Sequence, residues 1–206
     1  MLKTYHPPCR FRGERNYLHS TDLYANLLAG LESSGFGPAT GAVRLAMRRV
    51  VRNAVEAHYQ KLDEKPVVPQ DSPIEFIVEA QAGRIAGWMN ETDRPVTARS
   101  PYDETAIRSL AIVEGDGIRM GGTPPNTPFE VATAMAVALH NALLPPPPGR
   151  KWMLGRVDLS RPLGKSDIEG MIVRMMQRLG GAFTRSAIVV QGQILGHMQF
   201  SLSAVY

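Results

Sequence analysis

The sequence predicts an α+β protein in which two central apolar helices are each wrapped by a curved antiparallel sheet. Three observations predict it. The run from Thr127 to Leu144, TPFEVATAMAVALHNALL, carries a start signal, a stop signal and an apolar coat round most of its circumference. A second run beginning at Thr21, TDLYANLLAGLESSGFG, repeats that logic with a more polar face. Around both lie stretches of alternating apolar and polar residues bounded by Gly and Pro, the pattern of antiparallel strands. A helix apolar nearly all round has to be covered nearly all round. The Thr127 run falls short of the roughly 20 residues that cross a bilayer, so its cover is protein.

Residues 1–16, with Pro7, Pro8 and the arginines Arg10, Arg12 and Arg15, read as an edge strand or arm. Ser20 or Thr21 then caps the first helix, which sets Leu23, Leu27 and Leu31 on one side and ends at Gly35 or Gly37. Residues 41–60 alternate with period two and change phase near Arg49 or Val50. That pattern predicts one long strand with a bulge, and a helix over 42–59 is the competing reading because no breaker interrupts it. Pro66, Pro69 and Pro73 place a loop at 61–73. Strands are expected over Ile74 to Ala82, Arg84 to Asn90 and Arg94 to Arg99.

Residues 100–126 are rich in Gly and Pro and read as a connector holding one short strand, Leu110 to Val113. In the second helix Thr127 is the N-cap, Pro128 opens the first turn and Glu130 closes a capping box. Its apolar stripe is Phe129, Ala132, Met135, Ala136, Leu139 and Leu143, and Pro145 to Pro148 stop it. Strands follow over Lys151 to Asp158, Ile168 to Leu179, Ala182 to Val190 and Gln193 to Ala204, the last two joined at Gln191-Gly192.

With 44% hydrophobic and 20% charged residues the chain has ordinary globular composition, which argues against disorder. The single cysteine, Cys9, permits no intrachain disulfide, and neither a signal-peptide core nor a long apolar span is visible, so a cytoplasmic location is expected. The net charge of +4 is dispersed and accompanies no nucleic-acid-binding motif. No nucleic acid and no membrane insertion are therefore expected. The same weak field suits a small phosphate-bearing molecule.

The heptad GRIAGWM from Gly83 matches GQILGHM from Gly192 at an offset of 109, with four identities. The two helices follow at nearly the same offset. Each half thus reads as helix, strand, link, strand, strand, with one unit near 1–105 and another near 106–206.

Leu159-Ser-Arg-Pro-Leu163, Arg178-Leu-Gly-Gly181 and SAIVVQGQILGHMQFSL together resemble the hotdog superfamily of acyl-thioester proteins over about residues 110–206, and the repeat extends the resemblance to the first half. The resemblance implies a double hotdog, similar to tandem acyl-CoA thioesterases and some dehydratases, acting on an acyl-CoA or an acyl carrier protein thioester at a seam between units. It also admits a homodimer. The activities implied are thioester hydrolysis, 3-hydroxyacyl dehydration, or acyl binding or assembly without catalysis, with no cofactor.

A thioester is already activated, so a base for water and dipoles for the developing oxyanion suffice. Asp22, at the start of the first helix, is the candidate catalytic carboxylate, with His19 beside it. Asp22 acting only on the helix dipole is the structural alternative. Asn126, Thr127 and Glu130 are candidate substrate-binding residues, although Glu130 is also the capping-box residue. Arg48 and Arg49, with Arg44 and Arg52, are candidates for coenzyme phosphates or a solvated strand face. His140 reads as a satisfied core or rim histidine, and His6, His58 and His197 carry no motif. No grouping has metal-ligand spacing, so no metal is expected. The Asp, Asn-Pro and His motif of hydratase-type hotdogs is absent, which weakens the dehydratase alternative.

Overall fold

The computed structural model describes residues 1–62, 69 and 71–204. It is an α+β protein with extensive antiparallel sheet and few helices. The chain divides into two compact units, Met1–Tyr102 with Ser160–Pro162, and Asp103–Leu159 with Leu163–Tyr206. No helix among the described residues is long and apolar enough to cross a membrane.

The first unit holds β1 (Lys3–Tyr5), β2 (Phe11–Arg12), α1 (Ser20–Ser33), β3 (Ala39–Met47), β4 (Asn53–Lys61), β5 (Ile74–Ala80), β6 (Gly83–Pro95) and β7 (Arg99–Ser100). Among the described residues its main sheet has the order β1-β4-β6-β5-β3, antiparallel throughout. Leu27 and Leu31 of α1 are fully buried, as are Val43, Tyr59, Ile74 and Met89 of the sheet. Tyr59 donates its hydroxyl to the Leu27 carbonyl at 3.2 Å, and this is where Gly30 is needed: a Cβ there would strike the Tyr59 ring and hydroxyl. The helix closes in a Schellman motif, with Phe36 N–H on Leu31 O and Gly35 N–H on Glu32 O, and Gly35 takes the left-handed φ of 79° that this ending requires.

Two expectations for this unit are corrected. Residues 41–60 form neither a bulged strand nor a helix, but two strands that are not neighbours. The phase change at 48–52 is a connection pinned from outside, by Arg48 N–H on Pro73 O, Leu18 N–H on Val51 O, and the N–H groups of Arg52 and Asn53 on Glu91 Oε1, both at 2.7 Å. Bonds to distant partners satisfy the backbone there, which local alternation does not reveal. The strand expected over Arg94 to Arg99 is also absent. β6 itself continues to Pro95, and Arg99–Ser100 pairs in parallel with Phe11–Arg12. The loop expected over 61–73 falls largely outside the described residues.

The second unit holds α2 (Thr105–Leu110), β8 (Ala111–Glu114), β9 (Gly117–Met120), α3 (Pro128–Leu143), β10 (Arg150–Leu159), β11 (Ile172–Leu179), β12 (Phe183–Val190) and β13 (Gln193–Ala204). Its strand order is β10-β13-β12-β11-β9-β8, antiparallel. The supposed connector at 100–126 is therefore a helix and a hairpin. Its apolar residues are too few per element to register as periodic, yet Ile107, Ile118 and Met120 are buried. The strand expected from Ile168 starts at Ile172, because residues 165–167 form a 3₁₀ turn in which Asp167 accepts from Gly164 N–H at 2.7 Å.

Along α3, Phe129, Ala132, Met135, Ala136 and Leu139 are buried. The coat thins in the last turn, where Leu143 is half-buried and Ala142 exposed. The matching heptads start the second strand of a hairpin in both units. Gly87 and Gly196 within them share one constraint, since a side chain at either would hit a neighbouring strand's carbonyl, that of His58 or of Asp158. The units differ in pairing, however. The strand after the helix lies beside the first hairpin strand in unit one (β3 with β5) and beside the second in unit two (β10 with β13).

Candidate active site

The two central helices begin differently, and the difference locates the site. At α3, Thr127 and Glu130 close a full capping box. Glu130 N–H bonds Thr127 Oγ1 at 3.4 Å, and Glu130 Oε2 accepts from Thr127 N–H at 2.8 Å and from its hydroxyl at 2.9 Å. Thr127 and Glu130, expected to bind substrate, thus serve the helix end. Asn126, just before them, has its Oδ1 buried without a hydrogen bond among the described residues.

At α1 the N-cap is His19, with φ −75° and ψ 142°, and no side chain caps the helix. The expected caps, Ser20 and Thr21, are already helical, and the Thr21 hydroxyl is engaged by His19 Nδ1 at 2.7 Å. The Asp22 and Leu23 N–H groups reach the His19 carbonyl. Among the described residues the Ser20 and Thr21 N–H groups meet no acceptor. Two donors at the positive end of a helix thus point out of the fold's own bonding.

Around this end a segment from each side closes in. Phe11 N–H bonds Ala98 O, Gly13 N–H bonds Ser100 O, and the Arg99 guanidinium donates to the carbonyls of Gly13 and Arg15 at 2.8 and 3.0 Å. This brings Arg12 onto Asp22, with Nε to Oδ2 at 2.8 Å and Nη2 to Oδ1 at 2.6 Å. It also brings Tyr102 against the buried His19, ring centroids 5.0 Å apart, with the Arg12 and Arg15 guanidiniums 5.3 and 4.6 Å from the Tyr102 centroid. His19 and Asp22, one helical turn apart, are thus tied together through Arg12 and Tyr102. Sequence reasoning missed those two residues. Arg12 looked like part of a featureless arm, and the Tyr102 contact spans most of the unit with no local signal.

The arginines expected to meet coenzyme phosphates are occupied. Arg48 pairs with Glu75 at 2.9 Å and Arg49 with Glu91 at 3.3 Å, both guanidiniums being largely exposed. The link that carries them meets the start of α1 through the Leu18 N–H bond to the Val51 carbonyl. A depression lined by Lys61, Leu62, Ala82, Gly83 and Arg84 is remote from the cluster at His19. The Leu18–Val51 bond sets α1's start at the Asn53 end of β4, and the eight-residue step to Lys61 covers about 26 Å.

His140 is fully buried. Its Nδ1 lies 2.6 Å from the Ala136 carbonyl and its Nε2 beside the Thr184 hydroxyl. A carbonyl only accepts, so Nδ1 carries the proton and Nε2 accepts from Thr184. Burial lowers its pKa and keeps it neutral. Among the described residues no group of three or more His, Cys, Asp or Glu is placed to hold a metal ion.

No protein-family model matches the sequence, and no curated protein does. Solved structures of hotdog-fold families are similar to it. They include a 12:0-ACP thioesterase from Umbellularia californica (8% identity, 100% of this chain and 97% of that one, TM-score 0.49). An acyl-ACP thioesterase from Bacteroides thetaiotaomicron (8%, 98% and 98%, 0.45) and the dehydratase domain of the CurF module of curacin polyketide synthase (8%, 92% and 85%, 0.46) are further examples. At this identity and these TM-scores the likenesses do not assign a reaction.

Proposed function

We propose that the chain is a double hotdog that processes an acyl thioester, by hydrolysis, at the N-terminus of α1. The observation that carries this reading is the uncapped start of a buried helix beside a histidine and a carboxylate, where the other central helix has its cap filled. The thioester carbonyl accepts from the Ser20 and Thr21 N–H groups, whose donors and helix dipole favour the oxyanion of the tetrahedral intermediate. With Nδ1 held by Thr21, Nε2 of His19 takes a proton from water as the hydroxide adds to the carbonyl carbon. It returns that proton to the sulfur as the C–S bond breaks.

Asp22 is held in ion pairing by Arg12 and acts as orienter and charge partner. Dehydration of a 3-hydroxyacyl thioester needs a second group that turns toward the departing hydroxyl, and both oxygens of Asp22 are engaged by Arg12. Hydrolysis is the better fit.

The test is incubation with a chain-length panel of acyl-CoA and with 3-hydroxyacyl-CoA, following free thiol and enoyl product separately. Thiol release supports the reading. Enoyl formation without thiol replaces it with dehydration, and binding without either product leaves an acyl-binding or assembly protein.

A further inference from the structure

The outer face of the second unit's sheet carries two polar rows. Pairing sets Arg174, Ala187, His197 and Asp158 opposite one another across β11, β12, β13 and β10, and Gln177, Arg185, Gln199 and Arg156 in the adjoining row. Alternation turns Val173, Ser186, Met198 and Val157 to the buried side.

On this face donors outnumber acceptors. Arg156 takes both oxygens of Asp158, at 2.7 and 3.0 Å, and Arg174 reaches the exposed Asp116 only at 3.7 Å. Among the described residues the side chains of Arg185 and His197 have no hydrogen bond and no ion pair, and Arg185 Nε is shielded from water without an acceptor. Three guanidiniums thus face two carboxylates, and one carboxylate is fully used. Ala187, the one small side chain in the two rows, stands between Arg174 and His197 in the register and is fully buried, so the longer side chains of the two rows close over it.

We propose that this face binds a phosphate group, with Arg185 and Arg174 as cationic donors and His197 as a third. A tetrahedral oxyanion supplies the acceptors the face lacks, and a guanidinium meets it in a planar fork. Burial and the neighbouring Arg185 charge hold the His197 pKa below its ordinary value, with Asp158 opposing them, so a bound anion moves it upward. The site is separate from the thioester reading and does not depend on it.

The experiment is an NMR titration of the His197 ring in inorganic phosphate, and in chloride at matched ionic strength, on the whole chain. The expected result is a saturable upward shift of the His197 midpoint with phosphate and not with chloride, lost in Arg185→Gln and reduced in Arg174→Gln while the remaining resonances stay in place. Equal shifts in the two salts reduce the effect to screening and overturn the proposal. No shift in either, or an undiminished phosphate response in Arg185→Gln, overturns it as well.

Discussion

The Arg12 guanidinium meets the Asp22 carboxylate with two parallel bonds of 2.6 and 2.8 Å, joining the amino-terminal arm to the first turn of α1. Both side chains are mostly buried, at 18% and 17% exposure, so the pair is shielded more than a surface ion pair. Removing one partner leaves a charge poorly solvated, at a cost of about 1–3 kcal/mol. Arg12→Gln and Asp22→Asn are each expected to lower the denaturant midpoint. The double variant loses clearly less than the sum of the two, which a double-mutant cycle measures. Strict additivity would show that the pair contributes nothing.

Gly30→Ala is expected to destabilise the first unit by about 1–3 kcal/mol, the usual cost of forcing a methyl into a packed core. The fully buried Tyr59 would have to leave its bond to the Leu27 carbonyl. Equilibrium unfolding of Gly30→Ala beside Tyr59→Phe checks this. If Gly30→Ala matches the parent, α1 does not sit on Tyr59 as described.

Legibility followed the range of the forces. α3 was legible because its signals are local: Thr127, Pro128 and Glu130 lie within four residues, and Pro145 follows its last turn. The terminal hairpin was legible for the same reason, through Gln191-Gly192 and the alternation on either side. The start of α1 was misread because Ser20 and Thr21 are good capping residues, while His19 took the cap position and Thr21 turned its hydroxyl to the ring. The 48–52 link was misread because Glu91 and Pro73 satisfy its backbone from outside. At the candidate site, His19 and Asp22 stood out as chemistry beside a helix start. Arg12 and Tyr102 did not, since only the β2–β7 pairing brings them there.

Thr127→Ala is expected to cost about 0.5–2 kcal/mol through loss of the α3 cap. Glu130→Gln should cost little, because glutamine also serves at that place in a capping box. Thermal or denaturant unfolding of the two variants reads this out. A large loss for Glu130→Gln would mean that its charge, and not its cap, is what the fold requires.

His140 sets part of the acid limit. Burial lowers its folded pKa below the ordinary 6.5, so the unfolded chain takes up the proton first. Its contribution is fully present above about pH 6.5 and is lost as the pH falls from there through the folded pKa. His58 and His197, also lowered, act in the same direction. The check is the slope of stability against pH in the parent and in His140→Gln. The parent should lose stability more steeply on acidification, and identical slopes would show that His140 is not buried neutral.

The central claim is that the uncapped end of α1 hydrolyses a thioester, and the most direct measurement is release of free thiol from a panel of acyl-CoA chain lengths by the parent, His19→Gln and Asp22→Asn, each first shown to be folded. The expected result is release by the parent, a fall of about 10²–10⁴-fold in His19→Gln as for loss of a general base, and a smaller fall in Asp22→Asn. Silence of the folded parent across the panel, or undiminished release by His19→Gln, would contradict the account.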